Sequence, residues 1–110
     1  MKAFAGMFAM ILLLGAACPV AAQDSTEALY KAKCQICHGA DATGSPVGKK
    51  LGVKDFQSPE VQKQTEPELL AIARKGQGKM PAYDGKISSH QLTDLIKYMR
   101  GLAKSSGKGN

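Results

Sequence analysis

The sequence predicts a small all-α domain with long loops. Three observations carry that expectation. Apolar residues recur at three- and four-residue steps in three separate stretches. Each stretch opens on a capping-box spacing: Asp24 with Glu27, Thr65 with Glu68, and Ser88 with Gln91. No segment alternates apolar and polar residues as a half-buried strand would, and no internal repeat occurs.

The chain has 110 residues, which fits one domain. Its first residues stand apart. Met1-Lys2 is a short positive start, followed by the apolar run AFAGMFAMILLLGAA. That run is shorter than the roughly 20 residues a membrane-crossing helix needs. Val20-Ala21-Ala22 then offers small residues where a signal peptidase reads. Residues 1–22 therefore read as a secretory signal cut between Ala22 and Gln23, so the mature chain is expected to be exported. An uncleaved membrane anchor and lipid attachment at Cys18 are the alternatives. Gly15 stands where lipid attachment usually has a large apolar residue.

The domain proper is assigned to residues 23–104, with 105–110 as a flexible tail. Within 23–110, 14 Lys and Arg face 9 Asp and Glu. Such a mild excess, without basic–aromatic interleaving, argues against nucleic acid. The aromatics are only Tyr30, Phe56, Tyr83 and Tyr98, so the side chains alone make a modest core.

The first helix is expected over DSTEALYKAKCQICHG, with Leu29, Ala32 and Ile36 on its apolar face and Gly39 as its stop. Residues 40–57 read as loop, punctuated by Gly44, Pro46, Gly48 and Gly52, with Leu51, Val53 and Phe56 pointing inward. Ser58 followed by Pro59 starts a short helix. The next helix buries Leu69, Ile72 and Ala73 and stops at Gly76. KGQGKMPAYDGKI is again loop. The last helix carries Leu92, Leu95, Ile96, Met99 and Leu102 as its stripe. Loops this long need a reason in a compact domain, and a bound ligand is one.

The chemistry concentrates in Cys34, Cys37 and His38. With Cys18 removed, Cys34 and Cys37 are the remaining cysteines. A disulfide between them would close too small a loop to staple a fold. A structural zinc site wants about four ligands. Only His90 could add to these three, and His38 is awkwardly adjacent to Cys37. Thioredoxin-like chemistry wants Cys-x-x-Cys at a helix start after a strand, whereas here it ends a helix. The third reading uses every residue: Cys-x-x-Cys-His is the attachment signature of a c-type haem. Two thiols on one turn form thioethers with the two vinyl groups, and the tether brings His38 under the iron. A covalent apolar disc would also supply the missing core and give the loops a crevice to wall.

A second axial ligand would come from Met80, Met99 or His90. Met99 fits the core stripe, and His90 falls at a solvated position in the first turn of the last helix. Met80 sits in a glycine-flanked loop stiffened by Pro81, and is the preferred ligand.

CQICHG, the Gly- and Pro-bearing loop after it, KMPAYDGKIS, and LIKYM in the final helix together resemble the class I c-type cytochromes, of the short bacterial monohaem type. The resemblance spans about Asp24 to Lys104. It implies a small cytochrome c fold, three to four helices and long loops enclosing one haem, with the first and last helices crossing. Tyr30 matches the family's aromatic in the first helix, and Leu95 and Tyr98 match its Leu-x-x-Tyr pair. Thr26 departs from the glycine often found where those helices touch. The resemblance also implies that a proline carbonyl accepts the proximal imidazole N–H, and Pro46 is the matching residue.

With both axial positions filled, the expected function is a periplasmic electron carrier, monomeric and not an enzyme. It would cycle one iron between Fe(II) and Fe(III). Lys31, Lys33, Lys49, Lys50, Lys54, Lys79 and Lys86 are candidates for a positive face that steers an acidic redox partner. Membrane complexes are candidate donors and acceptors. Two alternatives stand beside this: a haem subunit of a larger oxidoreductase, and a gas sensor or enzyme in which Met80 is displaced.

Overall fold

The computed structural model describes Gly15 and residues 20–107. The signal-peptide expectation therefore falls mostly outside the described residues, as do Cys18 and residues 108–110 of the expected tail. Six helices occur among the described residues: α1 (Val20–Lys33), α2 (Gln35–His38), α3 (Pro46–Lys50), α4 (Pro59–Gln62), α5 (Glu66–Lys75) and α6 (Ser89–Gly107). No strand occurs among them. A single bridge pairs Gln77 with Met80.

Local chemistry explains most of the boundaries. The Thr65 side chain accepts from the Glu68 amide while the Glu68 carboxylate accepts from the Thr65 amide, a complete capping box. Ser88 and Gln91 make the same reciprocal pair in front of α6. Ser58 caps α4, with Pro59 pre-set for the first turn.

Three expected element boundaries require correction. The first helix begins at Val20, so Asp24 lies inside it and not at its start. The loop after Gly39 holds a helix of its own, α3, because Ser45 caps it and Pro46 opens it. At the C-terminal end, α6 runs on to Gly107, so Ser105–Gly107 are helical rather than loose tail.

The first helix also turns a different face inward. Tyr30 is 1 % exposed, whereas Ile36 is 72 % exposed and Ala32 is exposed. The helical path breaks at Cys34, where φ is −116°, so a single apolar stripe from Leu29 to Ile36 does not form. Leu51, expected inward, is 45 % exposed, while Phe56 is buried.

The core lies between α5 and α6 and continues under α1. Leu69 and Ala73 of α5 pack with Leu92, Leu95, Ile96, Met99 and Ala103 of α6, joined by Val61, Phe56 and Ile87. Met99 is thus a core residue, as its spacing predicted. At the meeting of α1 and α6, the rings of Tyr30 and Tyr98 stand 5.2 Å apart, tilted by 58°. The long segment between α3 and α5 is tied down by side chains. The Gln62 amide donates to the Phe56 carbonyl, Gln57 donates to the Ala103 carbonyl, and Arg100 donates to the Gln64 carbonyl.

Candidate functional site

The break at Cys34 shapes one wall of the site. The Cys34 amide still bonds the Tyr30 carbonyl, and the His38 amide bonds the Cys34 carbonyl, so the path stays helical on either side. The Cys37 amide also turns to Cys34, at 3.2 Å. The carbonyl of Lys33, which an unbroken helix would pair with that amide, receives the Tyr83 hydroxyl instead.

The turn after Cys37 is held tightly. Gly39 sits at φ +83°, ψ 171°, a conformation essentially reserved for glycine. Its carbonyl accepts the buried Tyr30 hydroxyl. The Ser45 hydroxyl donates to the Ile36 carbonyl, and the Ser45 and Gly44 amides donate to the carbonyls of Cys37 and His38. Gly48 is buried against this turn. A Cβ there would lie 1.8 Å from the Cys37 carbonyl oxygen. Phe56 meets the His38 imidazole edge-on, with 5.9 Å between ring centres.

The opposite wall is the loop after α5. Gln77 and Met80 exchange backbone hydrogen bonds, which folds residues 77–80 into a tight turn. The Tyr83 and Asp84 amides donate to the Ala73 and Arg74 carbonyls, and the Arg74 guanidinium pairs with the Asp84 carboxylate at 3.3 Å.

Between these walls lies a cleft of about 290 Å³, onto which Cys34, Cys37, His38 and Met80 all face. Leu51, Val53, Val61, Leu69 and Ile72 give it an apolar lining, and Lys33, Lys54 and Lys79 stand among its polar residues. A deeper apolar chamber of about 70 Å³ shares Cys34, His38, Met80 and Tyr83 with it and reaches Met99 and Leu95 of the core. The fold therefore brings together the four residues that the sequence singled out, from segments more than forty positions apart.

Their states suit a haem. Both thiols are free and half-buried. Burial pushes the Cys34 thiol up to about 11 and holds the His38 imidazole below its ordinary range, so the ring is neutral at pH 7 with a lone pair available to a metal. The His38 Nδ1 atom is buried without a hydrogen-bond partner. A buried polar atom left alone is costly in a finished structure. Two thiols and a neutral imidazole beside an apolar cleft are what a covalently attached haem needs, and the Met80 thioether faces the same cleft.

Pro46 does not join them. It is exposed, lines neither cavity, and its carbonyl takes no bond from His38 Nδ1. The cause is local: Pro46 opens α3, and carbonyls in a first helical turn align with their own helix axis. His90 is also outside the site, exposed and 3.4 Å from Asp94 one turn on. Sequence reasoning missed Gly48, Ser45 and the Tyr83 hydroxyl. The Ser-Pro pair at 45–46 signals a helix start, but the two close contacts depend on how distant segments pack.

The family model described as cytochrome c oxidase, cbb3-type, subunit III matches residues 21–99. The chain belongs to this family of c-type cytochrome domains. Among solved structures it is similar to KustC0563, described as a c-type cytochrome, at 26 % identity and a TM-score of 0.63. That match covers 68 % of this chain and 93 % of the other. A tyrosine-to-phenylalanine mutant of the same protein matches at 24 % identity and a TM-score of 0.64, covering 70 % and 96 %, and speaks for the fold alone. No curated protein matches the chain. Membership in a c-type cytochrome family implies a covalently bound haem c and haem-based electron transfer. Among the described residues, no helix of this cytochrome is long and apolar enough to cross a membrane.

Proposed function

We propose that this cytochrome is an exported carrier of single electrons with one haem. In this reading Cys34 and Cys37 hold the haem as thioethers, His38 is the proximal ligand, and Met80 is the ligand on the other face. The observation that carries it is the convergence of those four side chains on one apolar cleft. When bound, the haem supplies reversible one-electron chemistry at its iron. The chain's own residues do the rest. Ser45, Gly48 and the Tyr30–Gly39 bond fix the turn bearing His38, Phe56 sets the ring edge-on, and Leu69 and Ile72 keep water from the interior. With two protein ligands no position stays open for substrate, which favours transfer over catalysis. Lys33 and Lys79 at the cleft offer positive charge to an acidic redox partner met in a small, transient contact.

The test is an absorption spectrum of the matured protein in both oxidation states, beside Met80→Ala. The wild type is expected to show a sulfur–iron charge-transfer band that Met80→Ala lacks. A band that survives the substitution removes Met80 from the iron. Carbon monoxide added to the reduced protein at neutral pH is expected to leave the spectrum unchanged; prompt binding would support a sensor or enzyme instead. The family description, an oxidase subunit, favours one second reading, in which this chain works inside a larger oxidoreductase. Copurification with membrane partners from the native host would separate the two.

A further inference from the structure

The two walls of the cleft are tethered very differently. The turn bearing His38 is bonded on several sides. The Met80 loop is bonded to its own neighbour, α5, through Tyr83, Asp84 and Arg74, and to itself through Gln77. Among the described residues, one hydrogen bond joins that loop to residues 33–50: the Tyr83 hydroxyl donates to the Lys33 carbonyl at 3.2 Å, across 50 positions of sequence. Its acceptor exists because the helix breaks at Cys34 and leaves that carbonyl without an amide.

We propose that Tyr83 is a positioning residue, a latch that holds the Met80 loop closed over the cleft and thereby sets how readily an outside ligand replaces Met80. The inference rests on the reading of Met80 as an axial ligand. Three observations support it. Tyr83 is half-buried and lines both the cleft and the deeper chamber, so its ring packs inside while its hydroxyl spans the gap. It follows Met80 by three residues, and its amide is fixed to Ala73, so little slack separates the latch from the ligand. Burial raises its phenol above the ordinary range, so the hydroxyl keeps its proton and remains a donor near neutral pH. Opening the loop as one body about α5 would break this one cross-cleft bond and leave the α5 contacts intact.

The experiment titrates the oxidised, haem-loaded protein with imidazole and follows loss of the sulfur–iron band. Tyr83→Phe keeps the ring and removes only the donor. Its affinity for imidazole is expected to rise about fivefold, the equilibrium equivalent of one ordinary hydrogen bond. Thr65→Ala serves as the comparison, because it weakens α5 at its far end without touching the cleft. Its imidazole affinity should match the wild type even though its melting temperature falls. An unchanged affinity in Tyr83→Phe overturns the latch, and so does an equal rise in Thr65→Ala, which would make the effect one of general stability. A wild type without the band fails earlier and differently: the Met80 assignment falls, and the latch falls with it.

Discussion

Gly48 lies against the backbone of Cys37 with no room for a side chain. A Cβ built on it would come within 1.8 Å of the Cys37 carbonyl oxygen and 2.6 Å of the carbonyl carbon. The obstacle is backbone, which cannot swing aside as a side chain can. Gly48→Ala must therefore push α3 away from the turn carrying Cys37 and His38. The expected loss is at least the ~1–3 kcal/mol typical of overpacking. Gly101 gives the contrast: it stands within α6, where an added Cβ meets nothing within 4 Å. Gly101→Ala should stabilise by about 0.5–1 kcal/mol through helix propensity alone. Chemical denaturation of the two loaded proteins measures both. A neutral Gly48→Ala would show that α3 does not bear on the turn carrying Cys37 and His38.

Tyr30 closes the other side of the same turn. Its ring is buried against Tyr98, and its hydroxyl donates to the Gly39 carbonyl. Tyr30→Phe preserves the packing and strands a buried acceptor. The expected cost is about 1–3 kcal/mol, the penalty for leaving such a group unsatisfied. Tyr98→Phe removes a hydroxyl from the other ring of the same pair and should cost clearly less. Paired urea titrations would read the difference, and equal losses would mean that the Gly39 bond adds nothing beyond ring packing.

These two contacts mark the limit of what the sequence discloses. The meeting of Cys34, Cys37, His38 and Met80 at one cleft was legible because residue type and local spacing had already singled out those four. The capping boxes at Thr65 and Ser88 were legible for the same reason. Misreadings arose where one local rule displaced another. The first helix has a helical period, but a break at Cys34 rotates Ile36 to the surface and leaves Tyr30 as the inward residue. Gly44, Gly48 and Gly52 hid α3, because a glycine needed for close approach, as at Gly48, or for positive φ, as at Gly52, looks like loop punctuation in a string of letters. Pro46 was matched by position after the histidine, yet its carbonyl direction is decided by the helix it opens.

Asp41 provides a pH-dependent test near the site. Its carboxylate accepts from the Thr43 hydroxyl at 2.6 Å and from the Thr43 amide at 3.1 Å. The hydroxyl bond is the main reason its carboxyl titrates below the ordinary aspartate range. Because the folded value is depressed, the linked stability is present above the unfolded value and is lost as pH falls through the folded one. Thr43→Val removes the hydroxyl and keeps the amide. Its Asp41 titration, followed by carboxyl NMR, should move upward toward the ordinary range. The stability gap between variant and wild type should be open at neutral pH and narrow in acid. A gap of the same size at every pH would trace the effect to Thr43 packing and not to the carboxylate.

Charge at the cleft mouth predicts how the cytochrome meets a partner. Lys33, Lys54 and Lys79 all line the cleft, but they are not equivalent. Lys54 stands 3.4 Å from Glu60, and Lys31 farther up α1 is 3.0 Å from Glu27, so each carries a counter-charge. Lys33 and Lys79 have no ion-pair partner among the described residues, and their fields reach an approaching molecule unopposed. Reversing both, Lys33→Glu with Lys79→Glu, should slow electron exchange with anionic hexacyanoferrate about tenfold at low ionic strength. A cationic cobalt complex should exchange faster with the same variant. Both differences should shrink as added salt brings the screening length below about 10 Å. Lys104→Glu, in the last turns of α6 and outside both cavities, is expected to leave the two rates close to wild type. If it moves them as far as the double reversal does, overall charge is acting and the cleft mouth is not the place where electrons leave.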